Sequence, residues 1–320
     1  MTNVTNVTNS IKPHLLAVVG ATAAGKTAMG VELALTLDSE IVNGDSRLFY
    51  RGMNVATAKP TSAETKGVPH HLMDFLDPGD EYNLASYVKQ ARTKIDEITT
   101  RGKLPVLVGG TGQYIWALIE GWEVPEIEPD VQLRAELELR LDNEGVESLA
   151  DELAKIAPEV AAYTDLLNPR RVIRAIERVR SNPSGHAVNT RKKARDEPFN
   201  AHIIGLTVER SVLHQRVLDR LDHMLANGWV KEIKSLIDAG YSADDRALSG
   251  IGYRQMIGHL AGEYDLDEAV RLTAVATNRL IRHQNNWFKQ DDPRINWVDM
   301  TDDPELGTKS AIEAAINWRH

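Results

Sequence analysis

The stretch Gly20-Ala21-Thr22-Ala23-Ala24-Gly25-Lys26-Thr27 matches G-x-x-x-x-G-K-[ST] at every fixed position and constrains the fold more than any other part of the chain. Its flanks agree with it. Leu15 to Val19 is a short apolar run of buried-strand type, and Ala28 to Leu37 repeats apolar residues at helical spacing. Strand, glycine loop and helix together turn backbone N–H groups and a helix N-terminus toward an anion. Lys26 is then expected on an outer phosphate, with Thr27 as a magnesium ligand. The motif implies a ligand with two or more phosphates and leaves the reaction open.

The remaining strands extend this start into a sheet. Ser39 to Ser46 reads as a strand ending in Asp45, and Leu104 to Gly112 as a buried strand running into a glycine turn. Tyr87 to Thr99 between them has helical periodicity. Strands alternating with helices predict a parallel sheet covered on both faces, with ligands gathered at the carboxyl ends of the strands. That places residues 20–27, Asp45 and Thr111 along one edge.

After Trp122 the pattern changes. Val124 to Pro129 reads as a linker, Asp130 as the N-cap of a charged helix to Leu141, and Val146–Ile156 and Arg170–Val179 as further helices. Ser181 to Gly185 breaks the chain, and His202 to Val208 returns to a strand. Glu209 to Ala239 and Leu266 to Lys289 read as helical. The expected organisation is a leader over 1–12, an α/β core over 13–122 and 200–320, and an all-helical insertion over 123–199.

The net charge of −9 argues against a nucleic-acid partner, but its distribution does not. Residues 168–195 hold nine Lys/Arg (Arg170, Arg171, Arg174, Arg178, Arg180, Arg191, Lys192, Lys193 and Arg195) against the single acid Glu177. A polyanion meets a local face, not an average. The same stretch also fits a solvated basic surface with no partner. Cysteine is absent, which excludes thiolate chemistry and Cys zinc sites. No apolar run is long enough to span a membrane. The Thr/Asn-rich start lacks the basic and apolar segments of a secretory signal, so a cytoplasmic protein is expected.

Asp45 is the strand-end acid, since Val106-Leu107-Val108 is followed by Gly109-Gly110-Thr111. It suits a general base, a magnesium ligand or a turn cap. Thr111 suits a phosphate contact or a plain loop position. His70 and His71 on extended chain point oppositely, so they read as a packed loop, not as a metal pair. Trp287 and Phe288, beside Arg282, His283 and Lys289, fit a base-stacking face or a core edge.

Taken together the motifs resemble the tRNA dimethylallyltransferases (tRNA isopentenyl transferases), from about His14 to Val298. The resemblance is carried by Gly20–Thr27, Asn43–Met53, Ala56–Pro60, Gly67–His71, Val108–Tyr114, Asn168–Ala175 and Gly250–Gln255. It implies a P-loop NTPase-like parallel sheet with an inserted all-helical tRNA-binding domain. It implies transfer of a dimethylallyl group from dimethylallyl diphosphate to the exocyclic amine of adenosine 37, in tRNAs reading codons that begin with U. The loop Gly20, Ala21, Thr22, Ala23, Ala24, Gly25, Lys26, Thr27, commonly described as ATP-binding by motif, would hold the prenyl diphosphate with Mg2+ on Thr27. Asp45 would accept the amine proton, and Thr111 and Arg220 would face the diphosphate. Asp45, Ser46, Arg47, Leu48, Thr111, Arg134, Arg170, Arg171, Arg174, Gly252, Tyr253, Arg254, Arg279 and Arg282 would meet the anticodon stem-loop, with the protein acting as a monomer.

The chain departs from the family pattern at Asn278, His283 and Asn286, and carries no basic residue at Ser249 or Gly250. These changes bear on individual tRNA contacts. The rival readings are an isopentenyltransferase acting on free adenine nucleotides, which would not need the basic stretch, and a P-loop small-molecule kinase. A non-catalytic RNA-binding protein is a third, against which the intact loop and Asp45 argue.

Overall fold

A computed structural model of the chain describes residues 12–124, 130–181 and 196–319. Most of the expected leader and linker, and Arg191, Lys192, Lys193 and Arg195, lie outside the described residues. The described residues fall into two compact units, one from residues 12–121 and 196–319 and one from residues 122–181.

The first unit is built on β1 (His14–Gly20), followed by α1 (Lys26–Thr36), β2 (Ser39–Asn43), the one-turn α2 (Ser62–Thr65), β3 (His70–His71), α3 (Leu84–Thr100), β4 (Leu104–Val108) and α4 (Gly112–Ile119). Leu15 to Val19 have no exposed surface, as a strand covered on both faces requires. Each Leu and Val side chain among them contributes about 1.5–3 kcal/mol of burial. The Asn83 side chain caps α3 by accepting from Ser86 N, which starts that helix three residues before its apolar periodicity does.

The second unit holds α5 (Val131–Ile156), α6 (Pro158–Ala161) and α7 (Pro169–Arg180). Asp130 caps α5, its carboxylate accepting from Leu133 N at 2.9 Å. Gly145 has φ 81°, a kink that divides α5 where the sequence suggests two helices. Leu133, Leu137, Leu149 and Leu153 of α5 pack on Val172, Ile173 and Ile176 of α7.

The chain then returns to the first unit with β5 (Asn200–Thr207), α8 (Arg210–Ala226), α9 (Trp229–Asp238), α10 (Tyr253–Leu260), α11 (Leu266–Trp287), β6 (Ile295–Asp299) and α12 (Pro304–Arg319). The six strands run parallel in the order β3-β2-β4-β1-β5-β6. Leu16, at the centre, faces Val106 of β4 and His202 of β5. Leu16, Val18, Val106, Val108, Ile204 and Leu206 face α1 and α12. On the other side Leu107 meets Tyr87 of α3 and Ile115 of α4 around Gly44. The chain leaves β1 for β2 and comes back to β4 between them, so a crevice opens at the carboxyl ends of these three strands.

Two sequence expectations change. His70 and His71 form an edge strand beside Ile41 and Val42, where a loop is expected. The expected helix over 209–239 is two helices, because Gly228 adopts φ 86° and turns the chain. Strand β6 and helix α12 are missed by the sequence reading. Ile295-Asn296-Trp297-Val298-Asp299 is a half-covered edge whose apolar residues do not form a run.

Candidate active site

The loop after β1 is shaped by two glycines. Gly20 has φ 142°, and a Cβ there would lie 2.7 Å from the Leu206 carbonyl oxygen. Gly25 has φ 97° at the N-cap of α1 and no side chain covers the first-turn amides. Those N–H groups are left for an anion. The Lys26 ammonium points inward and donates to Ala21 O at 2.7 Å. Burial lowers it to about 8; Asp45 offsets part of that effect and Arg220 adds to it.

Asp45 follows β2. Its N–H is held by Asn43 Oδ1 at 2.9 Å, and its carboxylate accepts from Arg47 N at 3.0 Å. The buried Asn43 amide also donates to the carbonyls of Asp45 and Leu72, at 3.0 and 2.9 Å. One carboxylate oxygen thus fixes the turn while the side chain lines the crevice. The turn reading and a chemical role are compatible here.

Gly109 lies so close to this turn that a Cβ would sit 2.3 Å from Gly44. That contact sets Thr111 against it: Thr111 N donates to Gly44 O at 3.3 Å, and Thr111 Oγ1 accepts from Ser46 N at 3.1 Å. Arg220 reaches in from α8, donating to Thr22 Oγ1 at 3.3 Å and Thr57 O at 3.1 Å. Burial lowers the Arg220 guanidinium, with Asp45 opposing the shift.

Two cavities meet at these residues. One, of about 500 Å³, is lined by Lys26, Thr27, Ile41, Asp45, Met73 and Arg220. The other, of about 320 Å³, is lined by Asp45, Arg47, Thr111, Tyr253, His283 and Trp287. Thr22, Ala23, Asp45, Thr57 and Arg220 belong to both walls.

The shared wall depends on residues that carry no motif role. Glu232 of α9 accepts from the backbone N–H groups of Asn54, Val55 and Ala56 at 2.7, 2.6 and 3.2 Å, and so holds the loop that presents Thr57. Lys59 in the same loop donates to Tyr50 O at 2.7 Å and pairs with Asp74. A lone Glu in a helix gives no sequence signal for this. Gln284 of α11, buried, accepts from Thr22 N at 2.8 Å and donates to Gly110 O at 3.1 Å. It sits within the sequence stretch noted for its departures, which points to the region without indicating its role.

The expected RNA-facing residues divide. Arg254, Arg279 and Arg282 are exposed, whereas Tyr253 is buried and donates its hydroxyl to Glu232 at 2.7 Å, so it offers a wall and not a phosphate contact. Arg47 donates to the carbonyls of Arg246 and Ala247, both at 3.3 Å, and its guanidinium lies against Gly250. Of the aromatic pair, Phe288 is buried beside Trp116, while Trp287 lines the smaller cavity with His283.

In the helical unit the count of nine bases against one acid misjudges the face. Arg134 Nε and Arg174 Nη1 both bind Glu177, at 2.8 and 3.1 Å, and Arg180 binds Glu152 of α5 at 2.6 Å. Arg171 is 62% exposed with a 3.5 Å contact to Asp165, and Arg170 is exposed. Acids of α5, distant in sequence, neutralise part of α7.

Among the described residues no group of three or more His, Cys, Asp or Glu could hold a metal. His71 Nε2 instead lies 2.7 Å from Glu40. The Thr27 hydroxyl lines the larger cavity beside Lys26; a single protein hydroxyl fits a magnesium ion arriving with phosphate oxygens and water, not a protein cage. No helix among the described residues is long and apolar enough to cross a membrane.

Comparison with known proteins adds a family. A family model described as IPP transferase matches residues 48–291. A tRNA dimethylallyltransferase of Thermomicrobium roseum is 42% identical over 293 residues, 92% of this chain and 88% of that protein. One of Halalkalibacterium halodurans is 41% identical over 295 residues, covering 91% and 93%. The full-length tRNA isopentenylpyrophosphate transferase of Bacillus halodurans superposes with a TM-score of 0.72 at 38% identity, over 96% of this chain and 97% of that one. A eukaryotic dimethylallyltransferase solved acting on tRNA shares the fold, with a TM-score of 0.81 at 23% identity over 94% and 77%.

Proposed function

The chain belongs to the IPP transferase family, and we propose that it is a tRNA dimethylallyltransferase, using dimethylallyl diphosphate to modify the exocyclic amine of adenosine 37. The observation that carries the reading is the pair of cavities sharing Asp45 and Arg220. A group-transfer enzyme needs two substrates to meet at one acid, with cations on the leaving side.

In this reading the larger cavity takes the prenyl diphosphate and the smaller one the target base. The base has to leave its stack to enter, a form of base flipping. The amine nitrogen bonds the prenyl carbon as the carbon–oxygen bond to diphosphate breaks, and the electron pair leaves with diphosphate. Asp45 accepts the amine proton. Lys26, Arg220 and the open amides of the loop hold the departing charge, preorganised where it develops, while Thr111 stands on the base side. Mg2+, when bound, adds charge neutralisation at the diphosphate, with Thr27 as its protein ligand. Arg254, Arg279, Arg282, Arg170 and Arg171 suit phosphate contacts of the anticodon stem-loop. Arg134 and Arg174, tied to Glu177, shape the helical unit, which is the proposed tRNA-gripping domain. The protein is read as a cytoplasmic monomer.

Purified protein, dimethylallyl diphosphate and an unmodified tRNA transcript test this directly. Mass spectrometry of the digested nucleosides is expected to show a prenylated adenosine that disappears when position 37 is changed. Prenylation of free AMP with tRNA left untouched would replace the reading by the free-nucleotide enzyme. ATP turnover without prenyl transfer would replace it by a kinase.

A further inference from the structure

Gln284 is nearly fully buried, at 4% exposure, and spends both ends of its amide on the site. Its Oε1 accepts from Thr22 N in the phosphate loop at 2.8 Å, and its Nε2 donates to Gly110 O, next to Thr111, at 3.1 Å. Neither bond survives rotation of the amide, since a donor would then face Thr22 N–H and an acceptor would face Gly110 O. The neighbouring chain is built to let α11 this close. A Cβ at Gly110 would lie 2.4 Å from Gln284 Nε2, and one at Gly112 would lie 2.3 Å from Trp287, one helical turn on. Thr22 is also held from the other side, its hydroxyl accepting from Arg220. A continuous path therefore runs from Thr57 through Arg220, Thr22 and Gln284 to the turn that carries Thr111, whose hydroxyl accepts from Ser46 N of the Asp45 turn. Its contacts join residues far apart in sequence at the wall common to both cavities.

We infer that Gln284 is a positioning residue: its amide fixes the spacing between the phosphate loop and the Thr111 turn. Thr22 N is thereby committed to the protein, and the diphosphate is left to the amides that follow it. The inference rests on the transfer reading above. A buried amide that bridges two substrate-facing loops sets their separation to a fraction of an ångström, and misplacement of about 1 Å costs about 10²-fold in rate.

Two variants test it. Gln284→Met keeps the volume and removes both hydrogen bonds. It is expected to lower kcat/KM for dimethylallyl diphosphate by about 10- to 100-fold, with tRNA affinity within about threefold and inorganic diphosphate binding weakened about tenfold. Gln284→Glu separates protonation states. Its carboxylate still accepts from Thr22 N but has no proton for Gly110 O, whereas the protonated acid reproduces both bonds. Its activity relative to wild type is expected to rise as pH falls from 8 to 6, a response that a purely structural defect would not give. If Gln284→Met does not fold, that pH profile decides. Unchanged kcat/KM in Gln284→Met, a parallel loss of tRNA affinity, or a flat Gln284→Glu profile overturns the inference. Failure of the wild type to prenylate tRNA would remove the transfer reading instead, and the inorganic diphosphate arm would still test Gln284.

Discussion

Lys26 in the sheet unit and Glu177 in the helical unit are both enclosed charges, but only Glu177 has its countercharges in place. Glu177, its side chain 3% exposed, is bound by Arg134 and Arg174. Lys26 bonds a carbonyl oxygen, and burial lowers it to about 8, an effect that Asp45 offsets only in part and Arg220 adds to. A buried ion pair offsets its desolvation within the protein, and breaking it leaves a stranded charge. An enclosed cation without such a partner costs stability, and that cost is recovered when an anion binds. The same physical term, desolvation, builds a scaffold in one unit and a receptive site in the other.

Four measurements press on that contrast. The largest effect is expected at the acid between the cavities. Asp45→Asn should lower prenyl transfer by about 10²–10⁴, with tRNA binding within a few-fold. Near-normal turnover would remove Asp45 as the base.

Lys26→Ala comes next and should weaken dimethylallyl diphosphate more than tRNA. An anion favours the protonated ammonium, so wild-type affinity for the diphosphate should fall as pH rises above about 8 and lose no further ammonium-linked affinity below it. Calorimetry from pH 7.5 to 9 reads this, and Lys26→Ala should lack the decline. An identical slope in the variant would assign the titration elsewhere.

Glu177→Gln addresses the paired side of the comparison. Its two arginines are 32% and 43% exposed, so the loss is expected at about 1–3 kcal/mol, below that of a fully buried pair, and visible in chemical unfolding. An unaltered unfolding midpoint would mean the pairs carry no structural weight.

The smallest effect concerns the exposed arginines. Arg170→Ala and Arg171→Ala should each reduce the slope of log tRNA affinity against log salt by about 0.7–0.9 if each meets one phosphate. Arg174→Ala, already paired, should change it less. Equal slopes for all three would erase the distinction between the arginine tied to buried Glu177 and the more exposed ones.

How much was legible follows from where each interaction closes. The phosphate loop is local: eight consecutive residues define its chemistry, and the strand before it and the helix after it lie within the same short window. Asp45 was legible because it ends an apolar run, and Asp130 because a cap acts three residues ahead. A count within the basic stretch overstates its free charge, because acids outside that stretch, Asp165 and Glu152 of α5, meet its arginines. The short strand at His70–His71 and the half-covered β6 escaped notice because neither has the apolar continuity that marks a buried strand.

By itself the sequence determined the parallel α/β core, the anion-binding loop and the acid at the end of β2, because these depend on chirality, periodicity and bonds between near neighbours. The tertiary structure decided which charges are already paired, that Glu232 holds the loop presenting Thr57, and that Gln284 joins positions 262 and 174 residues away. Desolvation and hydrogen-bond satisfaction depend on what surrounds a group in three dimensions, and no local pattern encodes that surrounding.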